Sequence, residues 1–531
     1  MPTLTIPTRD RASSIGLGRR SGPAHEARAL AAATPADRDR YVDFLRVASI
    51  AVVVLGHWLM AAFTRDGDRL SGTNALALVH GLWLATWLLQ VMPVFFFIGG
   101  FANLAAVRSV RRRGGGYAEY LSSRMVRLLR PTSVFVALWL VLPLLLSAVG
   151  VPAAVVGPAA RLVAQPLWFL GVYLGVVALA PAMAELHRRY GWLVPAALAA
   201  GAAAVDLARF RLGLEGLGQL NLALVWLFAH QLGFFYADGS LAGGSRRRLA
   251  GLAGAGLAGL VVLTASGAYP GSMVGMPGEQ VSNMNPPTIC IVALTMLQVG
   301  LVMLARERIS AWLARPRVWA VVVAASSMVM TVYLWHVTAM LTVVGLLYGT
   351  GAPLPALAGA VWWLTRPLWL LLLGIVLLPL VLLFARFERP TALPAPAAEA
   401  TSAHSRLAAA LAASQLVLGL YGLVASGFHP IIGSAGGMVA AVRLDPVQSL
   451  VHLAVGALLV WAARNGAAAS PAPWLATAAL LGLLLVPGPA LGDVLPLARN
   501  LPGDVLHAAT GVLALAAAVT VPGRNRPRAA A

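Results

Sequence analysis

One cysteine, Cys290, stands among 531 residues. A single thiol excludes a disulfide framework and any multi-cysteine zinc or iron–sulfur site, and with them redox chemistry through the protein's own thiols. Lysine is absent, and all 39 basic side chains are Arg. In a chain so rich in Ala, Gly and Arg this reflects a GC-rich coding sequence, so the choice of Arg over Lys carries no functional weight. Charge of either sign is scarce, at 11% of residues with 19 acids. The motifs of soluble enzymes are also missing: there is no P-loop, no dinucleotide-binding Gly-rich turn, no H-E-x-x-H and no G-x-S-x-G elbow in a strand-to-helix setting.

Hydrocarbon is what the chain has in excess. A hydrophobic fraction of 59% with a mean hydropathy of +0.80 excludes division into soluble domains. The fold class is all-α, a polytopic membrane helix bundle. The formal charge of +20 would point a soluble protein toward nucleic acid, but in a membrane protein its placement matters more, and no nucleic-acid partner is expected.

A spanning helix needs about 20 mostly apolar residues. Ten such runs precede residue 390, near 43–63, 79–107, 132–150, 167–185, 191–207, 220–237, 249–267, 287–305, 318–347 and 356–385. Four more lie near 407–426, 447–463, 473–490 and 505–521. The expected domains are a disordered basic tail over 1–40, a ten-helix membrane domain over 41–388, a Pro- and Ala-rich linker over 389–405, a four-helix membrane domain over 406–521, and a tail over 522–531. With this count the Arg residues alternate between sides: 30 fall on one, seven on the other, and Arg46 and Arg366 lie within spans. The positive-inside rule then places both termini in the cytoplasm of a multi-pass cell-membrane protein. The tail carries no continuous apolar segment, so the first span is expected to direct insertion.

Polar groups inside spans cost roughly 2.5 to 3.5 kcal/mol each on insertion scales, so those that persist point to function. The first span, YVDFLRVASIAVVVLGHWLM, carries Asp43, Arg46 and His57. Eleven residues separate Arg46 from His57, which puts them about 20° apart around the helix and roughly 16 Å apart along it. Asp43 lies one turn before Arg46. Such a stripe belongs in a polar cavity inside the bundle, and a neutral imidazole near physiological pH suits a general base that takes a proton from a hydroxyl. A histidine satisfied by a neighbouring helix is the structural alternative.

The R-x10-H spacing within DFLRVASIAVVVLGHW resembles the first helix of the acyltransferase family 3 membrane proteins. MPVFFFIGGFAN resembles their FFxxSGF segment, SSRMVRLLRP their basic stretch before a proline, QPLWFLGVYL their LWFL segment, and TVYLWHVTAM their Y-L-x-H helix. The likeness covers about residues 40–388. It implies transfer of an acyl group, often acetyl, from acyl-CoA to a hydroxyl on a glycan, lipid or metabolite, with acyl-CoA as co-substrate and no bound cofactor or metal. His57 would be the catalytic base, and Arg46 its partner in the motif, meeting the donor's carbonyl or phosphate. The chain departs from the pattern at Gly99, which stands where the family has Ser.

Read from the residues alone, Arg124, Arg127 and Arg130 recur every three positions before Pro131. They suit the phosphates of coenzyme A, and topology alone also explains them. Tyr333 and His336 lie one turn apart in the ninth run, as supporting residues that face substrate or the first span. Asn221, His230 and Gln231 read as interhelical hydrogen-bond partners. The stretch 268–287, with Glu279, Asn283 and Asn285, is either an acceptor-contacting loop or a surface connector. In the last four runs, LVHLAVGALL around His452 and VLHAATGVLAL around His507 form a near-repeat, read as a structural His/Gly device, with haem or metal ligation as the alternative. This part resembles a four-helix membrane domain of unknown role. A transporter is the competing class for the whole chain, and the absence of repeated halves with matching broken helices counts against it.

Overall fold

The computed structural model describes residues 32–35, 38–66, 69–276, 278–352, 357–389, 402–431, 433–486 and 497–521. Most of the basic tail over 1–40, the linker over 389–405 and the tail over 522–531 lie outside the described residues.

The chain is a bundle of long apolar helices: α1 (Arg40–Met60), α2 (Met92–Arg112), α3 (Tyr117–Ala148), α4 (Leu167–Tyr190), α5 (Leu193–Leu212), α6 (Asn221–Ala237), α7 (Arg246–Ala265), α8 (Ile289–Leu313), α9 (Val329–Gly349), α10 (Arg366–Phe384), α11 (Ala403–Ser426), α12 (Pro446–Arg464), α13 (Pro471–Leu483) and α14 (Leu501–Thr520). Two small antiparallel hairpins complete it, β1 (Ala61–Asp66) with β2 (Arg69–Asn74), and β3 (Gly437–Val439) with β4 (Val442–Leu444).

Three boundaries differ from the hydropathy reading. α3 begins at Tyr117 and runs through Pro131, so the expected basic loop before that proline is helical. Thr132 and Ser133 hydroxyls donate to the carbonyls of Leu128 and Arg130, in the turn that a proline without N–H disturbs. The run 318–347 is broken at Ser327 and Met328 into a short helix, Pro316–Ser326, and α9. Finally, thirteen helices among the described residues are long and apolar enough to cross a bilayer, where fourteen runs were expected. The exception is α13, whose 13 residues rise only about 20 Å against a hydrocarbon core of about 30 Å.

Contacts divide the chain into two compact units, residues 1–109 with 182–392, and residues 110–181 with 393–531. The division cuts across the boundary suggested by the linker.

In the first unit, α1 packs on α8, α9, α10 and the short helix Pro316–Ser326. α2 meets α6 back to back: a Cβ on Gly100 would lie 1.9 Å from the His230 carbonyl oxygen, and one on Gly233 would lie 1.9 Å from that of Phe97. Buried Asp206 joins three segments by accepting from Asn221 Nδ2, Tyr269 Oη and the Ile289 amide. The stretch 268–287 is tied down. Asn283, fully buried, donates to the Pro270 and Ser272 carbonyls and accepts from Thr288 Oγ1, so its side chain is occupied within the fold.

In the second unit, α11 and α12 pack closely, α3 packs on both, and α13 pairs with α14. A capping box of Asp445 and Gln448 starts α12. His452 and His507 meet in the interior with Nε2 atoms 3.2 Å apart, and His452 Nδ1 bonds Gln415 Oε1 at 2.6 Å. The Gly of the first repeat, Gly456, sits hard against Leu416, whereas the equivalent Gly511 has open space.

Candidate active site

α1 starts where Asp39 accepts from the Tyr41 and Val42 amides, leaving its second carboxylate oxygen to Tyr236 Oη. From that cap the helix presents Arg46, Val53, His57 and Met60 along one side, and none of them is buried, whereas flanking Val42, Ser49, Ile50 and Val54 are. The stripe expected to line a polar cavity inside the bundle is therefore not buried at these positions. His57 is exposed, and the position of a Cβ on neighbouring Gly56 is empty space. Only the partner of His57 lies inside.

That partner is His336 of α9, fully buried. The His57 Nδ1 and His336 Nε2 atoms are 2.8 Å apart, and the rings stack at 23°. The proton positions follow from the next bond. His336 Nδ1 faces the carbonyl oxygen of Tyr333 at 2.5 Å, and a carbonyl only accepts. His336 therefore carries its proton on Nδ1 and offers a lone pair at Nε2. With both rings neutral, His57 donates from Nδ1, and its Nε2 is left as an unprotonated acceptor. Indole bonds hold this geometry: Trp58 Nε1 donates to the His336 carbonyl, and Trp369 Nε1 donates to the Trp58 carbonyl. Three helices, α1, α9 and α10, are thereby locked around the pair.

A second polar group occupies the other end of α1. Asp43, buried, accepts from Arg38 at 2.6 Å and Arg46 at 3.2 Å. Glu388, just beyond α10, accepts from the amides of Met330 and Thr331 and from the Thr331 hydroxyl. It thus caps the N-terminus of α9 at the helix break. Burial raises its pKa above the ordinary carboxylate value; those amides, that hydroxyl and the nearby charge of Arg46 offset part of the rise.

The sequence-predicted residues thus fall into three groups. His57, His336 and the Tyr333 carbonyl come together at one end of α1. Asp43 and Arg46 come together at the other, roughly 16 Å away along the helix. Arg124, Arg127 and Arg130 belong to the second unit, in the N-terminal half of α3, with Arg127 and Arg130 exposed and Arg124 half-buried. Glu388 was missed, because the ERP that follows the last apolar run reads as the start of a linker. The polar residues of α6 have side-chain partners: His230 with Asn103, Gln231 with His187, and Asn221 with Asp206.

A family model described as an acyltransferase domain matches residues 39–386, about two-thirds of the chain. The chain belongs to acyltransferase family 3. No curated protein and no solved structure matches it. The family match contains α1 with His57 and Arg46, the Arg-bearing turns of α3, and α9 with His336; it stops before residues 387–531. The protein is thus a multi-pass membrane acyltransferase carrying a C-terminal extension outside the family domain.

Proposed function

We propose that this acyltransferase moves an acyl group, acetyl in the first instance, from acyl-CoA to a hydroxyl of a cell-surface glycan, glycolipid or metabolite, with His57 as general base. One observation carries the reading: the chain of bonds from the Tyr333 carbonyl through His336 directs the lone pair of His57, an exposed residue, to Nε2. The acceptor hydroxyl gives its proton to Nε2 as its oxygen attacks the thioester carbonyl. The tetrahedral intermediate then expels the CoA sulfur, and the imidazolium returns the proton to it.

Arg46 lies roughly 16 Å along the helix from His57, too far to touch the same carbonyl, so of its two expected roles contact with a phosphate of the donor is the better supported. Arg124, Arg127 and Arg130, taken by themselves, are proposed as a phosphate-binding face suited to coenzyme A. The stretch 268–287, apart from Asn283, remains a candidate for acceptor contact. Both termini are proposed to face the cytoplasm, where acyl-CoA is supplied.

The test is turnover of radiolabelled acetyl-CoA by purified protein in liposomes, with and without cell-envelope extract, for wild type and His57→Ala at matched thermal stability. Loss of about 10² to 10⁴ in rate on substitution is expected for a general base. Equal rates would remove His57 from the chemistry, and absence of turnover with acetyl, propionyl and succinyl donors would remove acyl-CoA as the donor.

A further inference from the structure

Arg366 opens α10 and has no role in the reaction described above. It is 8% exposed, and its guanidinium lies over the rings of Trp362 and Trp369, at 4.0 and 5.2 Å from their centroids. Its Nε donates to the Trp362 carbonyl. Among the described residues its two terminal nitrogens form no hydrogen bond and no ion pair. A buried cation without a counter-charge is costly, and two aromatic faces offset only part of that cost. An arginine that merely marked a helix end would extend its head to the interface, whereas this one is folded down between two indoles.

The guanidinium lines a cavity of about 130 Å³ shared with Phe63, Val344, Trp362, Trp369 and Leu372. Leu368 and Leu372, which also line it, are exposed apolar side chains of a spanning helix. The cavity therefore opens sideways, toward hydrocarbon. A forked cation set in an apolar, laterally open wall selects for a group with two acceptor oxygens attached to a hydrophobic tail. We propose that the Arg366 cavity binds the phosphate- or carboxylate-bearing headgroup of a membrane amphiphile. The site adjoins the catalytic pair, since Trp369 in its wall bonds the Trp58 carbonyl next to His57. Ala61, one helical turn beyond His57, also lines the cavity. Binding is nonetheless measurable without turnover, so this proposal and the acyl-transfer reading fail separately.

The experiment is native mass spectrometry of the purified protein equilibrated with phosphatidylglycerol and phosphatidylcholine of identical chains. Wild type is expected to retain the anionic lipid about tenfold over the neutral one, and Arg366→Gln to lose that preference. Val344→Phe, which fills the cavity and leaves the arginine, is expected to lose it too, and it supplies the test if Arg366→Gln does not fold. Equal retention of the two lipids by wild type, or a preference unchanged in both variants, overturns the proposal. So does displacement by millimolar inorganic phosphate without lipid selectivity, which would make this a free-phosphate site.

Discussion

In the proposed reaction His57 works as a base only if its lone pair faces the acceptor, and that depends on what its Nδ1 donates to. His336 takes that proton because its own Nδ1 is committed to the Tyr333 carbonyl. Replacing His336 with Ala should lower turnover about 10- to 100-fold, the range seen when a group that orients a reactive imidazole is lost. His336→Gln, whose side-chain carbonyl accepts the same hydrogen bond, should recover part of it. The two histidines act as a unit, so combining His336→Ala with His57→Ala should cost little more than His57→Ala alone; additive losses in steady-state kinetics would separate them. Glu388 gives a pH prediction. Its folded pKa is raised above 4.5, so the folded state holds its proton more tightly than the unfolded chain. The stability this contributes is present below that value and is lost as pH rises through the raised pKa. Thermal unfolding in detergent should therefore show wild type losing ground to Glu388→Gln as pH climbs from the ordinary carboxylate range, and parallel curves would refute the assignment. His57 and Arg46 were legible as one stripe because a helix fixes their relation within eleven residues. His336 was expected to face either substrate or the first span; which of the two it meets, and that the contact is with His57, was not legible, because 279 residues separate them and no local rule sets that contact.

The element scale shows where hydropathy reads well and where it is blind. Long apolar runs announced α1 to α12 because each must bury its backbone within itself. The break before α9 escaped notice because both sides of it are equally apolar; what permits it is a carboxylate 57 residues downstream. Glycine positions give a matched pair of predictions. At Gly100, where α2 and α6 touch, an alanine methyl would lie 1.9 Å from the His230 carbonyl, so the helices must part. Gly100→Ala should destabilise by about 1 to 3 kcal/mol, read as a lowered midpoint of thermal unfolding. Gly56→Ala adds a methyl to open space within α1, near its C-terminal end, and should leave stability unchanged or raise it by up to about 1 kcal/mol. If both behave alike, the packing of α2 on α6 is not what sets the cost.

For the whole molecule, parity of spans is decided by α13. Thirteen full-length helices would put the termini on opposite sides of the membrane, and fourteen crossings would put them on the same side. α13 alone is too short, rising about 20 Å, but it starts seven residues after Arg464, and Arg499 follows it before α14. If α13 and the residues after it cross, Arg524, Arg526 and Arg528 share a side with Arg464 and the 30-to-seven alternation survives; if they do not, the terminal arginines join the poor side. The arginine balance therefore predicts a crossing. Because the one native cysteine, Cys290, is buried, single cysteines introduced at Ser14 and Ala529 give a clean readout. In right-side-out vesicles a membrane-impermeant maleimide should label neither position until the membrane is permeabilised. Labelling of Ala529→Cys alone in intact vesicles would show that α13 turns back without crossing, and that the two termini lie on opposite sides of the membrane.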